Sequence, residues 1–130
     1  MKKILVTEDD PGLQEIYKII LEKAGYMVTI LPSGRDILNN HYQLPDLFVL
    51  DKQLSGMDGL DICKYLKSQQ ATKNVPVIII SATTDIQNLV KEAGADAFIE
   101  KPFDKKHLLQ VVAENIAKND NQLTISPFFQ

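Results

Sequence analysis

Five polar side chains with complementary chemistry stand at the ends of short apolar runs in this sequence. Glu8 and Asp9 follow the first run, and Asp51 follows the third. Ser81 closes the fourth run, and Lys101 lies just past the fifth. Carboxylates, a hydroxyl and an amine brought to one place would be able to bind a cation and the oxygens of a phosphoryl group.

Three carboxylates held close together repel one another, and a pair about 5 Å apart costs roughly 3 kcal/mol at an effective dielectric constant of about 20. We therefore expect them to bind a hard divalent cation, and Mg²⁺ suits them because it takes one or two carboxylates with waters and phosphate oxygens. Asp51 is then the candidate nucleophile, since aspartyl phosphates are known covalent intermediates. Lys101 and Ser81 would contact the phosphoryl oxygens. An acidic pair after a strand is often only a helix cap with a solvated charge, so the prediction depends on all five residues together.

The apolar runs that precede these residues are predicted to be strands, because they are short, largely continuous and rich in β-branched residues. The predicted strands are Lys3–Thr7, Met27–Leu31, Asp46–Leu50, Val77–Ser81 and Asp96–Ile99. Strand and helix alternate five times, which indicates an α/β fold with a single flavodoxin-like, doubly wound, five-stranded parallel sheet of order 2-1-3-4-5 and helices on both faces. In that order the first and third strands are neighbours, which brings Glu8, Asp9 and Asp51 to one edge of the sheet.

Apolar residues at spacings of three and four predict the helices between the strands. The first helix begins after Asp10-Pro11 and ends at Gly25, with a buried stripe formed by Leu13, Ile16, Tyr17, Ile20, Leu21 and Ala24. Further helices are predicted from Ser33 to Asn40, after the cap Asp58, from about Thr84 to Ala93 with Ile86, Leu89 and Val90 buried, and from Asp104 to Lys118.

Length and composition fit one globular domain, because the chain has 130 residues, 45% of them apolar and 24% charged. We assign residues 1–118 to the domain and 119–130 to a C-terminal tail or the start of a linker. The net charge of −3 does not suggest a nucleic acid partner for this segment, and no run approaches the roughly 20 apolar residues of a membrane span. Cys63 is the one cysteine and is predicted to be buried; the lack of an internal disulfide favours a cytoplasmic location.

Four motifs, in order and well spaced, resemble the response-regulator receiver family of bacterial two-component signal transduction. They are Ile4–Asp10, Asp51–Gly59, Ile79–Ala82 and Ala93–Phe103, and the resemblance extends from Lys2 to about Lys118. It implies that the domain accepts a phosphoryl group from a histidine kinase, a histidine phosphotransfer protein or a small acyl phosphate. A surface of the domain would then change and bind a downstream protein target. Such a domain is not a conventional enzyme, because it catalyses only its own phosphorylation and dephosphorylation.

The resemblance also implies a role for each residue of the site. Asp51 would be the phosphoacceptor, while Mg²⁺ would be bound by Asp9 directly, by Glu8 through water and by the backbone carbonyl of Gln53. The phosphoryl oxygens would be bound by Ser81, Lys101 and the backbone amide of Ala82. Ser81 and Phe98 would form the switch that reports phosphorylation, and the peptide bond between Lys101 and Pro102 would be cis.

Three residues depart from the usual pattern of the family. Ser55 stands where proline is usual, and we expect it to loosen the loop after Asp51 without touching a ligand residue. Ser81 replaces the commoner threonine but keeps the hydroxyl. Phe98 replaces a frequent tyrosine, so a switch at this position must work without a phenolic hydrogen bond.

Two alternatives from other classes stay open at this point. An aspartate-nucleophile phosphatase of the haloacid dehalogenase type shares the α/β sheet and magnesium, but it carries Asp-x-Asp after its first strand. Here the candidate nucleophile follows the third strand, and Gln53 stands where the second aspartate would be. A binding module that kept the fold and lost phosphorylation is the other alternative, and the intact set of Asp9, Asp51, Ser81 and Lys101 argues against it.

Overall fold

A computed structural model describes the backbone of residues 1–125 and the side-chain surroundings of residues 1–118. Its main feature is a parallel sheet of five strands in the order β2-β1-β3-β6-β7, which confirms the predicted flavodoxin-like order of the five long strands. These strands are β1 (Lys3–Thr7), β2 (Met27–Leu31), β3 (Leu47–Asp51), β6 (Val77–Ser81) and β7 (Ala97–Glu100). Two short strands, β4 (Gln53–Leu54) and β5 (Met57–Asp58), form a small antiparallel hairpin directly after β3. The sequence pattern did not predict this hairpin.

Three strands have the predicted bounds, whereas β3 and β7 each begin and end one residue later than predicted. The reason lies in the two aspartates that precede them. The carboxylate of Asp46 accepts a hydrogen bond from the backbone N–H of Lys3 at 2.7 Å, and that of Asp96 accepts one from Val77 at 2.8 Å. Each aspartate therefore fixes the start of a neighbouring strand instead of extending its own.

Helices alternate with the long strands of the sheet, and capping residues mark where several of them begin. They are α1 (Pro11–Lys23), α2 (Arg35–Leu38), α3 (Gly59–Ser68), α4 (Gln87–Glu92) and α5 (Lys105–Ile125). The predicted caps Asp10 and Asp58 are confirmed, because their carboxylate oxygens accept from the backbone N–H of a residue in the first turn at 2.8 and 2.9 Å. Asp104 accepts from the backbone N–H of His107 in the same way at 2.7 Å.

Two predicted helices are shorter in the structure. Helix α4 begins at Gln87 and not near Thr84, because Asp85 has a φ of 58° and helix formation cannot pass through that conformation. Asn40 has a φ of 60° and follows the end of α2, which is reduced to four residues. Helix α5 continues past residue 118 to Ile125, and 126–130 lie outside the described residues. The assignment of 119–130 to a tail or linker stays a prediction.

Each face of the sheet is covered by its own apolar cluster, as expected for a doubly wound fold. Helices α1 and α5 cover one face, with Tyr17, Leu21, Leu108, Val112 and Ile116 buried there. Helices α2, α3 and α4 cover the other face, with Ile37, Leu60, Ile62, Cys63, Leu66 and Val90 buried. The predicted stripes were wrong at Ile16, Ala24 and Leu89, which are all exposed. Within the described part of the chain, no helix combines the length and apolar character needed to span a membrane.

Candidate functional site

The carboxyl ends of β1, β3, β6 and the segment after β7 meet at one edge of the sheet. Thr7 is paired with Leu50, Asp51 with Ile80, and Ser81 with Glu100. This register places the residues that follow β1, the end of β3 and the end of β6 in one row. The edge is the one where open α/β sheets bind ligands.

Asp51 ends β3 and has a carboxylate held from two sides. Its Oδ1 accepts a hydrogen bond from the backbone N–H of Gln53 at 2.9 Å, and its Oδ2 is paired with the ammonium group of Lys101. The backbone N–H of Asp51 donates to Oγ1 of the buried Thr7 at 3.3 Å. The residue is 5% exposed, so a reagent must reach the carboxylate through the edge of the sheet.

Lys101 reaches this carboxylate from the loop after β7. Its backbone N–H donates to the carbonyl oxygen of Ser81 at 2.8 Å, and the peptide bond to Pro102 is cis, as the resemblance implied. Its Nζ also lies 3.6 Å from Oε1 of Glu8. Burial alone would lower the pKa of Lys101, but the hydrogen bond to Asp51 and the charges of Asp51 and Glu8 raise it above its ordinary value. The side chain is therefore a fixed cation.

Glu8 is the most deeply buried acid of the site, with 2% of its surface exposed. Its Oε2 accepts a hydrogen bond from the backbone N–H of Asp10 at 3.1 Å, whereas its Oε1 has no hydrogen-bond partner. Burial, followed by the neighbouring Asp51, raises the pKa of Glu8 from 4.5 to about 7. The ammonium group of Lys101 forms an ion pair with Oε1 at 3.6 Å but no hydrogen bond. A buried carboxylate oxygen without a hydrogen bond favours contact with water or a further cation.

Asp9 is exposed and stands in the opposite situation. Its Oδ2 accepts a hydrogen bond from the hydroxyl of Ser55 at 2.9 Å, and this bond lowers the pKa of Asp9. The expectation that Ser55 touches no ligand residue was therefore wrong. Among these acids the pKa of Glu8 is raised and that of Asp9 is lowered. The negative charge is therefore unfavourable at Glu8 and not at Asp9.

Ser81 and Ala82 lie beside the Asp51–Lys101 pair. Ser81 is 2% exposed, and its Oγ accepts a hydrogen bond from the backbone N–H of Thr83 at 2.9 Å. Ala82 is exposed and borders an apolar cleft of about 360 Å³ that is also lined by Leu13, Ile16, Lys101, Pro102 and Phe103. Phe98 is half-buried, pairs with Ile79 on β6, and packs into the same apolar cluster as Ile79.

The residues present fit a magnesium ion in chemistry, although they do not form a cage of side chains. Among residues 1–118, no group of three or more His, Cys, Asp or Glu side chains is arranged to hold a metal. Mg²⁺ does not need such a group, because it keeps several waters and takes one or two carboxylates. The orphaned Oε1 of Glu8, the exposed carboxylate of Asp9 and the carboxylate of Asp51 supply hard oxygen donors at one edge.

Three contacts at this edge involve residues that sequence reasoning did not select, namely Thr7, Ser55 and Thr83. Thr7 carried a weak signal, because a polar residue ends an otherwise apolar run. Lys52 pairs with Asp58 at 3.1 Å and its carbonyl accepts from Gly59 at 2.6 Å, which closes the base of the β4–β5 hairpin.

Comparison with known proteins supports the same reading. The family model of the response regulator receiver domain matches residues 4–113. The chain belongs to the response-regulator receiver family. It is 36% identical over 124 residues to the DNA-binding response regulator MtrA of Mycolicibacterium smegmatis, a match that covers 93% of this chain and 53% of that protein. The chain thus spans about half the length of the curated relatives that it matches.

Solved receiver structures superpose closely on this fold. The signal receiver domain of a histidine kinase from Syntrophus aciditrophicus is 33% identical with a TM-score of 0.82, covering 90% of this chain and 91% of that one. The response regulator TrrA of Thermotoga maritima, solved in complex with Mg²⁺ and BeF, is 26% identical with a TM-score of 0.78, covering 88% and 98%. Membership of the receiver family removes the phosphatase alternative and assigns the chain to two-component signalling.

Proposed function

We propose that this receiver domain accepts a phosphoryl group on Asp51 in a magnesium-dependent reaction, from a histidine kinase or a histidine phosphotransfer protein. The observation that carries the proposal is the pairing of the buried Asp51 carboxylate with Lys101 next to the orphaned oxygen of Glu8. A carboxylate with a fixed cation on one side and, on the other, an acidic oxygen that accepts no hydrogen bond is suited to phosphoryl transfer.

The transfer step is a substitution at phosphorus. One carboxylate oxygen of Asp51 forms a bond to phosphorus, and the bond from phosphorus to the imidazole nitrogen of the donor breaks with its electron pair going to that nitrogen. The other ring nitrogen of the phosphohistidine carries a proton, so the imidazole leaves as a neutral group. Lys101 moves from Asp51 Oδ2 to a phosphoryl oxygen and keeps its charge beside the site. The backbone N–H of Gln53 keeps the second oxygen of Asp51 in place. Asp9, Asp51 and the Gln53 carbonyl would hold Mg²⁺, with Glu8 contacting it through water, and the ion would supply positive charge to the phosphoryl oxygens.

Phosphorylation would be reported through Ser81 and Phe98. The Ser81 hydroxyl lies at the end of β6, where its oxygen accepts from the backbone N–H of Thr83, and it would move to donate its hydrogen to a phosphoryl oxygen. Phe98 stands two residues before the Ser81 level on the adjacent strand β7 and on the same side of the sheet. Movement of Ser81 would give the half-buried Phe98 ring space to pack inward, changing the surface formed by α4, β7 and α5.

The donor is proposed to be a protein because an apolar cleft opens beside Lys101. Ile16, which is 46% exposed on α1, and Phe103 both line the cleft and offer apolar contact beside Lys101. A free acyl phosphate would bind at the acidic edge without contacting this apolar cleft. We also propose a cytoplasmic location, because a bacterial DNA-binding regulator such as MtrA works where the chromosome is.

The test is phosphorylation by acetyl phosphate with and without Mg²⁺, followed by intact mass. We expect one added phosphoryl group, dependent on Mg²⁺, and loss of most labelling in Asp51→Asn. Asp61→Asn, at an exposed position of α3, is the matched control and should label like the parent chain. Equal labelling of Asp51→Asn would overturn the assignment, and no labelling of the parent chain would favour a binding module without phosphorylation.

A further inference from the structure

The hydrogen bond between Ser55 and Asp9 is not used by the proposed phosphoryl transfer. It joins the turn of the β4–β5 hairpin to the loop after β1, across 46 residues of chain. The hydroxyl lies 2.9 Å from Oδ2 of Asp9. Both residues are exposed, so the bond exists although water could satisfy either group.

The hairpin that carries Ser55 is held in place without Asp9. Gln53 donates to Asp51, the ion pair of Lys52 and Asp58 closes the base at 3.1 Å, and Leu54 is buried against the core with 6% exposure. Gly56 has a φ of 72°, which allows the tight turn beside Ser55. The turn is therefore the fixed partner in this contact.

The hydrogen bond restricts the side chain of Asp9, which is the less constrained of the two residues. Asp9 precedes the cap residue Asp10, and its exposed side chain would otherwise sample several rotamers. We propose that Ser55 is a positioning residue for magnesium, which holds the Asp9 carboxylate toward the acidic edge before the ion arrives. This inference rests on the proposed function, in which Asp9 is a direct ligand. A carboxylate has about four lone-pair sites, so the hydrogen bond to Oδ2 leaves sites that bind the ion.

The size of the effect follows from the kind of contact. Mg²⁺ demands near-ideal octahedral geometry, so a ligand held in one orientation binds it more tightly than a rotating one. Loss of groups that orient metal ligands typically weakens metal binding by roughly 10- to 100-fold in buried sites. Ser55 is a neutral donor at an exposed position, and we expect loss of its hydroxyl to weaken magnesium binding by about three- to tenfold.

The experiment compares Ser55→Ala, Ser55→Thr and Ser55→Val in the full chain. Threonine and valine have the same shape, but only threonine keeps the hydroxyl, so this pair separates the hydrogen bond from the effect of size in the turn. The magnesium dissociation constant is measured by NMR titration of backbone amides, and the free energy of unfolding is measured in EDTA. Ser55→Ala and Ser55→Val should bind Mg²⁺ about three- to tenfold more weakly, while Ser55→Thr should stay near the parent value.

Unchanged or tighter binding in Ser55→Ala and Ser55→Val would overturn the inference, the second result showing that the hydroxyl competes with the ion for Asp9. Asp9→Asn distinguishes this failure from failure of the proposed function. If Asp9→Asn abolishes magnesium binding but Ser55→Ala does not weaken it, only the positioning role is wrong. If Asp9→Asn binds Mg²⁺ like the parent chain, both fail.

Discussion

Replacing Glu8 with glutamine should remove a specific pH dependence from the stability of the metal-free chain. Glu8 is 2% exposed, its Oε1 has no hydrogen-bond partner, and its side chain stands close to the buried Asp51. Burial and this neighbour favour the protonated acid. Glutamine has nearly the same shape and cannot ionise, so the substitution isolates the cost of the charge.

The sign and size of the effect follow from the pKa of Glu8, which folding raises from 4.5 to about 7. Because the folded pKa lies above the unfolded one, the stabilising contribution is fully present below pH 4.5 and is lost as the pH rises through 7. A rise of this size corresponds to roughly 3 kcal/mol in total, of which about 2 to 3 kcal/mol is lost between about pH 5 and pH 8.

Urea unfolding in EDTA, followed by circular dichroism at several pH values, measures this loss. The free energy of unfolding of the parent chain, minus that of Glu8→Gln, should fall by about 2 to 3 kcal/mol from about pH 5 to pH 8. Titrating groups that the substitution does not affect cancel in this difference. Saturating Mg²⁺ should reduce the fall, since a bound cation favours the ionised acid.

Glu15→Gln is the matched control, because Glu15 is exposed on α1 and its substitution should leave the pH profile unchanged. A difference between the parent chain and Glu8→Gln that stays flat from about pH 5 to pH 8 would refute the reasoning. It would mean that the nearby charge of Lys101, 3.6 Å from Oε1, compensates the burial of Glu8 fully. Carbon-13 NMR of the Glu8 carboxyl group gives the midpoint directly.

Three further predictions concern neighbouring residues. Asp9→Asn should erase most of the magnesium-dependent rise in melting temperature, measured by thermal unfolding with and without Mg²⁺; an equal rise would place the ion elsewhere. Ser81→Ala should bind beryllofluoride while the amide shifts of α4 and Phe98 stay at their unphosphorylated values in NMR spectra, and parent-like shifts would contradict the switch. Gly59→Ala should destabilise the fold by about 1 to 3 kcal/mol in urea unfolding, because its Cβ would lie 2.2 Å from the carbonyl oxygen of Asp51.

The fold was largely predictable because its signals are local. Short runs rich in β-branched residues predicted the bounds of β1, β2 and β6. Aspartates that precede apolar stripes predicted the starts of the helices that follow Asp10, Asp58 and Asp104. The errors have non-local or conformational causes. The carboxylate of Asp46 accepts a hydrogen bond from the backbone N–H of Lys3, 43 residues away in the sequence. The positive φ of Asp85 leaves no mark in the apolar periodicity that predicted a longer α4.

The positions of the site residues followed from topology, whereas their contacts did not. Parallel strands in a known order bring their carboxyl ends to one edge, so grouping Glu8, Asp51 and Lys101 required no side-chain detail. The contact of Ser55 with Asp9 depends on a hairpin of two-residue strands, which is too short to leave an alternating pattern. Only the folded chain shows that an exposed serine in that turn meets an acid 46 residues earlier.

The structure also shows that the charges of the three acids are stabilised to different degrees. Asp51 pairs with Lys101, and Asp9 is exposed to water and accepts a hydrogen bond from the hydroxyl of Ser55. Glu8 is buried close to the Asp51–Lys101 pair, and its Oε1 has no hydrogen-bond partner. The unfavourable energy of the metal-free cluster is therefore concentrated on Glu8, although Asp9 is the residue that the resemblance makes the direct ligand. If a cation relieves this energy, removing the charge of Glu8 should stabilise the metal-free chain above pH 7 and weaken its response to Mg²⁺. Removing the charge of Asp9 should weaken that response without the same gain in stability, because Asp9 is exposed and its pKa is lowered by Ser55.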